Sequence, residues 1–387
     1  MDLKLKSRSN SSALRLANIQ ALRAVAAIMV ALLHAQVSVM GEAAVSGQTF
    51  SPWSVVDLSF GVDIFFVISG VVITISSVKL AEARQGMAFF RKRFLRVVPT
   101  YWVFTFVQVA ATAVAAFVHP VRSSDDILNF KNVLCSLFFI PIDTFSYGTL
   151  AAMPVLFVGW SLNFEVLFYF IFGISIFFGG ALPVVLGRVI AVVLALVIVG
   201  NVSHVSVLPW VFWARPIMVE FAIGILLGYI YLRGFRVSGW IQAVLLIAGL
   251  SVWLFVKQSH LEGAPLNPHV THGWSRVMSG GLGATLIMSA AVLGSWHVRG
   301  KFGELLNRLG ESSYALYLAH PIIYLVLAFF AERFVPGMSW SWYAVVVLLI
   351  VAILFAHMFH VIFERRLLDW LDAKMKFGTT KVEAPIN

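Results

Sequence analysis

The sequence predicts an all-α, polytopic membrane protein with about ten transmembrane helices and both termini in the cytoplasm. Three observations carry this expectation. Of the 387 residues, 60% are hydrophobic and 12% charged, against roughly 45–50% and about 25% in a soluble domain. Apolar runs of the length a bilayer core requires, about 17–25 residues, recur along the chain near 18–40, 55–78, 97–118, 154–178, 181–200, 216–232, 239–256, 276–294, 312–331 and 341–363. Basic residues collect in alternate connections between these runs, which is the pattern of membrane topology.

The first run, NIQALRAVAAIMVALLHAQVSVM, follows a tail (1–17) that carries Lys4, Lys6, Arg8 and Arg15. Tail and run together imitate a signal peptide, but the run is too long for one and Arg23 interrupts its start. An uncleaved first helix is expected. The second run opens with FGVDIFFVISG, and the third is entered through RKRFLRVVP, Arg91 to Pro99. A shorter apolar run, Asn132 to Ile142, contains Pro141; it is too short to span and is expected to be interfacial or re-entrant. The fourth run contains GWSLNFEVLFYF, the sixth RPIMVEF and the ninth SSYALYLAHP. The tenth leads into a basic C-terminal tail (364–387) with Arg365, Arg366, Lys374, Lys376 and Lys381.

With the N-terminus inside, most of the 28 basic residues fall on the cytoplasmic face. The net charge of +10 is then a matter of topology, and no nucleic-acid partner is expected. The single cysteine, Cys135, excludes an intramolecular disulfide and a thiolate cluster. The 257–275 connection carries His260, His269 and His272 without accompanying carboxylates, so no metal is expected there. No internal repeat is apparent, which counts against many transporter folds.

Several ionisable residues fall within the apolar runs, where they are costly and usually face a protein interior or a watery cavity. Arg23 and His34 are the first pair. Their separation returns to within about 20° of one helix face, roughly 16 Å apart along the axis. Asp63, on the second run, is placed by the same arithmetic at a depth similar to His34. A carboxylate beside an imidazole fixes its tautomer and supports a general base; a buried polar pair that only locks two helices together is the alternative. Arg93 and Arg96 are neighbours on one helical face. They suit a phosphate or pyrophosphate clamp, or else they belong to an ordinary cytoplasmic basic collar. Glu165 sits near mid-membrane beside Trp160, Ser161 and Asn163, and Glu220 is a second buried acid. On the ninth run Tyr317 and His320 share a face, and His320, just before Pro321, is expected to line a cavity. The combination of a basic cytoplasmic mouth and a His/Asp/Glu interior suits a charged donor entering from the cytoplasm and an acceptor across or within the membrane.

These motifs, IQALRAVAAIMVALLHA, GVDIFFVISG, RKRFLRVVP, GWSLNFEVLFYF and SSYALYLAHP, resemble in their order the acyltransferase 3 family of bacterial integral-membrane O-acyltransferases, over residues 18–363. PVLFVGWSLNFE and RPIMVEFAIG look like the branch tied to exopolysaccharide production. The resemblance implies a multi-pass domain of the bacterial inner membrane. Its activity would be transfer of an acyl group, usually acetyl, from cytoplasmic acyl-CoA to a hydroxyl of a polysaccharide or lipid-linked sugar, with no metal. Carried over by position, Arg23 and His34 match the essential first-helix pair, and Arg93 and Arg96 match the Arg-x-x-Arg motif assigned to acyl-CoA binding. Glu165 falls where many relatives read WSLSVE, so Asn163 and Phe164 depart from the common Ser and Val. Some relatives carry an additional C-terminal hydrolase-like domain; about twenty residues follow the last run here, so handover within the membrane domain is expected. The site expected is therefore His34, Asp63 and Glu165 in catalysis, Arg23, Arg93 and Arg96 on the acyl donor, and Tyr317 and His320 on the acceptor. Two other classes stay open at this point. One is a proton- or solute-coupled transporter with a His34, Asp63 and Glu165 relay; the other is a non-catalytic subunit of a polysaccharide export assembly.

Overall fold

The structure, a computed structural model, describes residues 2–53, 56–118, 128–142, 153–203, 207–255, 273–335 and 337–376. Among them there is no strand. Seven helices are long and apolar enough to cross a membrane. Three more apolar helices, Phe60–Ser76, Pro216–Leu232 and Gly239–Phe255, are shorter than 18 residues and fall on the expected second, sixth and seventh runs. His260, His269 and His272 lie outside the described residues.

Helix α1 (Asp2–Val45) and α2 (Phe60–Ser76) lead to the short α3 (Val78–Glu82) and to α4 (Gly86–Val118). The Arg91–Arg96 stretch therefore sits on the first turns of a continuous helix, ahead of the expected start of the third span. Pro99 lies within that helix without ending it. The short apolar run folds as α5 (Phe130–Leu137), whose last carbonyl accepts from Trp102 Nε1 at 2.9 Å. The following Phe139 adopts a left-handed φ of 58° and is buried against the ring of Tyr101, with centroids 4.7 Å apart. Helices α6 (Trp160–Phe177) and α7 (Leu182–Val202) form the next pair. Arg188 caps the end of α6 by donating to the carbonyls of Ser175 (3.3 Å) and Gly179 (2.7 Å), which supplies partners to carbonyls a helix end leaves open.

Helices α8 (Val219–Leu232), α9 (Gly239–Phe255) and α10 (Leu282–Leu293) follow; α10 is entered through a π-helical turn, Val277–Gly281. The amphipathic α11 (Gly300–Glu311) connects to α12 (Ser313–Phe334), which runs through Pro321. Helix α13 (Trp342–Phe359) passes through a second π turn, His360–Glu364, into α14 (Arg365–Lys376). The helix thus continues past the expected end of the tenth span.

Small residues decide how closely these helices approach. On α1, Ala27, Ala31, Ala35 and Ala43 are buried, and they pack with Ala344, Leu348, Ala352 and Ala356 of α13. A four-residue spacing of small side chains is the usual means of close packing in lipid. A close crossing joins α2 to α8. A Cβ on Gly70 would stand 2.4 Å from the Phe221 carbonyl oxygen, and one on Gly224 would stand 2.4 Å from that of Val67. Gly61 of α2 meets α1 in the same way, at 2.4 Å from the Ala26 carbonyl oxygen. Helix α2 therefore touches two neighbours backbone to backbone.

Gly224→Ala is expected to lower the melting temperature of the detergent-solubilised protein by several degrees, since overpacking costs about 1–3 kcal/mol. Gly187→Ala, at a position with nothing within 4 Å, should leave it unchanged or raise it. Thermal unfolding followed by size-exclusion chromatography checks the pair; equal melting temperatures would show that the two helices do not meet at these glycines.

Candidate active site

Helices α1, α2, α4, α6 and α12 line one cavity, and its wall contains Arg23, Arg93, Arg96, Glu165 and Tyr317 together. Residues from five separate stretches of sequence thus converge. Arg93 marks one end. Its Nη2 donates to Ser76 Oγ at 2.7 Å, and its guanidinium lies 5.4 Å from the Phe89 ring and 5.6 Å from the Tyr169 ring. Arg96, one turn on, is exposed. Arg23 approaches from α1 and donates to Gln20 Oε1 at 3.3 Å. Among the described residues, none of these three guanidiniums forms a salt bridge. Arg91, from the same basic stretch, serves differently: it pairs with Asp372 and ties α4 to α14.

Glu165 stands on the cavity wall, as its cost at membrane depth requires. Its Oε1 accepts from Ser69 Oγ at 2.8 Å and from Tyr169. Tyr169 is one turn along α6, a spacing visible in the sequence; Ser69 comes from α2 and was not foreseen. Ser161 lies one turn the other way along α6, roughly 12 Å from the level of Tyr169. There Tyr317 donates to the Val158 carbonyl at 2.8 Å, and Ser161 Oγ lies 2.8 Å from the Tyr317 oxygen. Both side chains line the cavity. Tyr317 also meets the ring of Phe65, with centroids 5.9 Å apart.

Beyond Tyr317 two histidines meet. His34 Nδ1 and His320 Nε2 are 2.8 Å apart, and His320 Nδ1 is 2.9 Å from the Leu316 carbonyl oxygen. The rings lie within 11° of parallel with centroids 5.0 Å apart. A nitrogen–nitrogen separation of 2.8 Å is a hydrogen bond, so the rings join edge to edge and do not stack face to face. The ring of Tyr317 contacts that of His320 at 6.3 Å, and Phe157 packs edge-on against His34 at 5.0 Å. His34 is half-buried. His320 is fully enclosed (0% exposed) and engages protein atoms through both ring nitrogens. The expectation that His320 lines a cavity is corrected accordingly.

The expected pairing of Asp63 with His34 is corrected as well. Asp63 (1% exposed) binds Arg276 through both oxygens, with Nε to Oδ1 at 3.0 Å and Nη2 to Oδ2 at 2.6 Å. Arg276 also donates to Ser59, at 3.1 Å to its hydroxyl and 3.0 Å to its carbonyl. The reason lies in helix geometry. Gly61 is the residue of α2 that faces α1, and Asp63, two residues on, is rotated by about 200° to the far side. Gly61 also meets Ala26, and His34 lies roughly 12 Å further along α1. Asp63 instead faces the π turn, where a Cβ on Gly280 would lie 2.8 Å from its Oδ1. Glu220 (0% exposed) sits against the adjacent Gly281. Through Arg276, Asp63 ties α2 to the entry of α10, apart from the cavity.

The family model for the acyltransferase domain matches residues 16–359. The exopolysaccharide production protein ExoZ of Rhizobium meliloti (strain 1021) is 33% identical over 271 residues, which is 69% of this chain and 77% of that protein. No solved structure matches. The matched region contains every residue of the arginine cluster, Glu165 and the histidine pair; the chain belongs to the acyltransferase 3 family.

Proposed function

We propose that this protein transfers an acyl group, acetyl in the simplest case, from acyl-CoA to a hydroxyl of an exopolysaccharide sugar or its lipid-linked precursor. The observation that carries the reading is the convergence of Arg23, Arg93 and Arg96, free of salt bridges among the described residues, on one cavity that extends to Tyr317 beside the histidine pair. Guanidiniums without carboxylate partners suit the phosphates of CoA. The distance along α1 from Arg23 to His34, roughly 16 Å, suits an extended pantetheine arm with its phosphates at one end and its thioester at the other. The positive-inside pattern assigns the arginine end to the cytoplasm, where acyl-CoA is made, in the bacterial inner membrane. The similarity to an exopolysaccharide production protein supports the sugar acceptor.

In this reading the arginines hold the donor's phosphates and His34 takes the proton of the acceptor hydroxyl. The hydroxyl oxygen forms its bond to the thioester carbonyl carbon, the carbon–sulfur bond breaks, and His34 returns the proton to the departing thiolate. Glu165, held by Ser69 and Tyr169, offsets the positive charge of the arginine cluster. Tyr317, its hydroxyl held by Val158 and Ser161, lies between the donor cavity and the histidines. Asp63 belongs to a structural clamp. A transporter relay through His34, Asp63 and Glu165 therefore lacks its middle member.

His34→Ala is expected to abolish acylation, since a general base is typically worth about 10²–10⁴-fold, while membrane insertion persists. Mass spectrometry of surface polysaccharide from cells expressing wild type, His34→Ala or neither protein checks this: a one-acyl mass increment should appear with wild type alone. Acylation by the variant at the wild-type level would defeat the mechanism. Arg93→Ala and Arg96→Ala should each weaken acetyl-CoA binding to the purified protein by about 10–100-fold, from charge-assisted hydrogen bonds of about 1.5–3 kcal/mol. Calorimetry in detergent reads this directly, and unchanged affinity in both variants would remove the donor from the cavity. Asp63→Asn should act on stability, costing about 3–5 kcal/mol for an uncompensated buried guanidinium; a melting temperature equal to wild type would show that the clamp carries no load.

A further inference from the structure

We infer that His320 is a positioning residue: through the Leu316 carbonyl it fixes His34 in the tautomer whose proton is on Nδ1 and whose lone pair is on Nε2. This rests on the reading of His34 as the base, and it adds which nitrogen of His34 acts and what determines the choice.

The assignment follows the hydrogen bonds from the backbone inward. A carbonyl oxygen has no proton to give, so the 2.9 Å contact to Leu316 requires a proton on His320 Nδ1. His320 is 0% exposed, and among the described residues neither imidazole bonds to a carboxylate. An imidazolium there would be a buried, uncompensated charge, which is strongly disfavoured. His320 is therefore neutral, and with Nδ1 protonated its Nε2 carries a lone pair. The 2.8 Å contact from that nitrogen to His34 Nδ1 holds one proton, which must come from His34. What remains on His34 is an unprotonated Nε2, on the half-buried ring. Free imidazole side chains in water favour the opposite tautomer, with the proton on Nε2. In catalytic triads a carboxylate imposes the required tautomer on the histidine. Here a neutral imidazole, itself oriented by a main-chain carbonyl, does so without adding a charge to the membrane interior.

Magic-angle-spinning ¹⁵N NMR of the full-length protein in lipid, labelled at histidine and assigned by comparison with His34→Asn, reads the tautomer directly. Wild type should show His34 protonated at Nδ1 and unprotonated at Nε2. In His320→Leu the acceptor is gone, so His34 should revert toward the Nε2-protonated form and acylation should fall by about 10²–10⁴-fold. His320→Gln supplies an acceptor oxygen to His34 and should keep the Nδ1-protonated form, with acylation within about tenfold of wild type. A His34 found protonated at Nε2 in wild type would overturn the inference whatever the variants do, and so would a His320→Leu protein that keeps the wild-type tautomer. The failure of this inference and that of the proposed function are distinguishable. A wrong tautomer with an inactive His34→Ala leaves acyl transfer standing and removes only the role of His320. The expected tautomer with an active His34→Ala preserves the wire and removes His34 as the base.

Discussion

The crossing of α2 with its neighbours is the contact on which the rest of the arrangement depends. Three glycines let its backbone touch α1 and α8 directly. In lipid there is little hydrophobic drive between helices, so close van der Waals packing at small residues carries association. Because α2 is fixed by two such contacts, its azimuth is set, and every polar residue along it is assigned a neighbour. Ser69 reaches Glu165, Ser76 reaches Arg93 and Asp63 reaches Arg276. One helix thereby orients the acid of the cavity, one arginine of its mouth and the clamp on its far side.

The protein treats buried charge in two ways. At Asp63 and Arg276 it closes the charge on itself with a two-pronged bond and further donors to Ser59, leaving nothing for a ligand. At Arg23 and Arg93, beside the exposed Arg96, it gathers guanidiniums and gives these two neutral or aromatic partners within the chain. A closed pair in low dielectric contributes position. An open cluster is electrostatically unfinished, and an anion would complete it. The difference separates residues that look alike in sequence, since each is a charge in or beside an apolar run.

Much of this was legible in the chain itself. Arg93 and Arg96 lie on one face because α4 is already helical at Gly86, so the three-residue spacing means what it usually means. Glu165 is on a polar wall for the solvation reason that singled it out. The pairing of His34 with Asp63 was misread because depth was counted from the ends of apolar runs. Helix α2 does not run level with α1: its Gly61 sits beside Ala26, and two further residues carry the side chain to the opposite face. The true partner of His34 lies 286 residues away on α12. No local pattern encodes which of several buried polar groups will be neighbours once ten apolar segments have chosen their order. Arg276 was hidden for the same reason, at the edge of a run.

The chain of contacts that orients His34 ends on a peptide carbonyl, that of Leu316. Every residue type at position 316 supplies that carbonyl, so selection has no handle on it there. Of the whole wire, only His320 and His34 present a target for point mutation. Drift at position 316 is therefore silent for the chemistry so long as the helix holds.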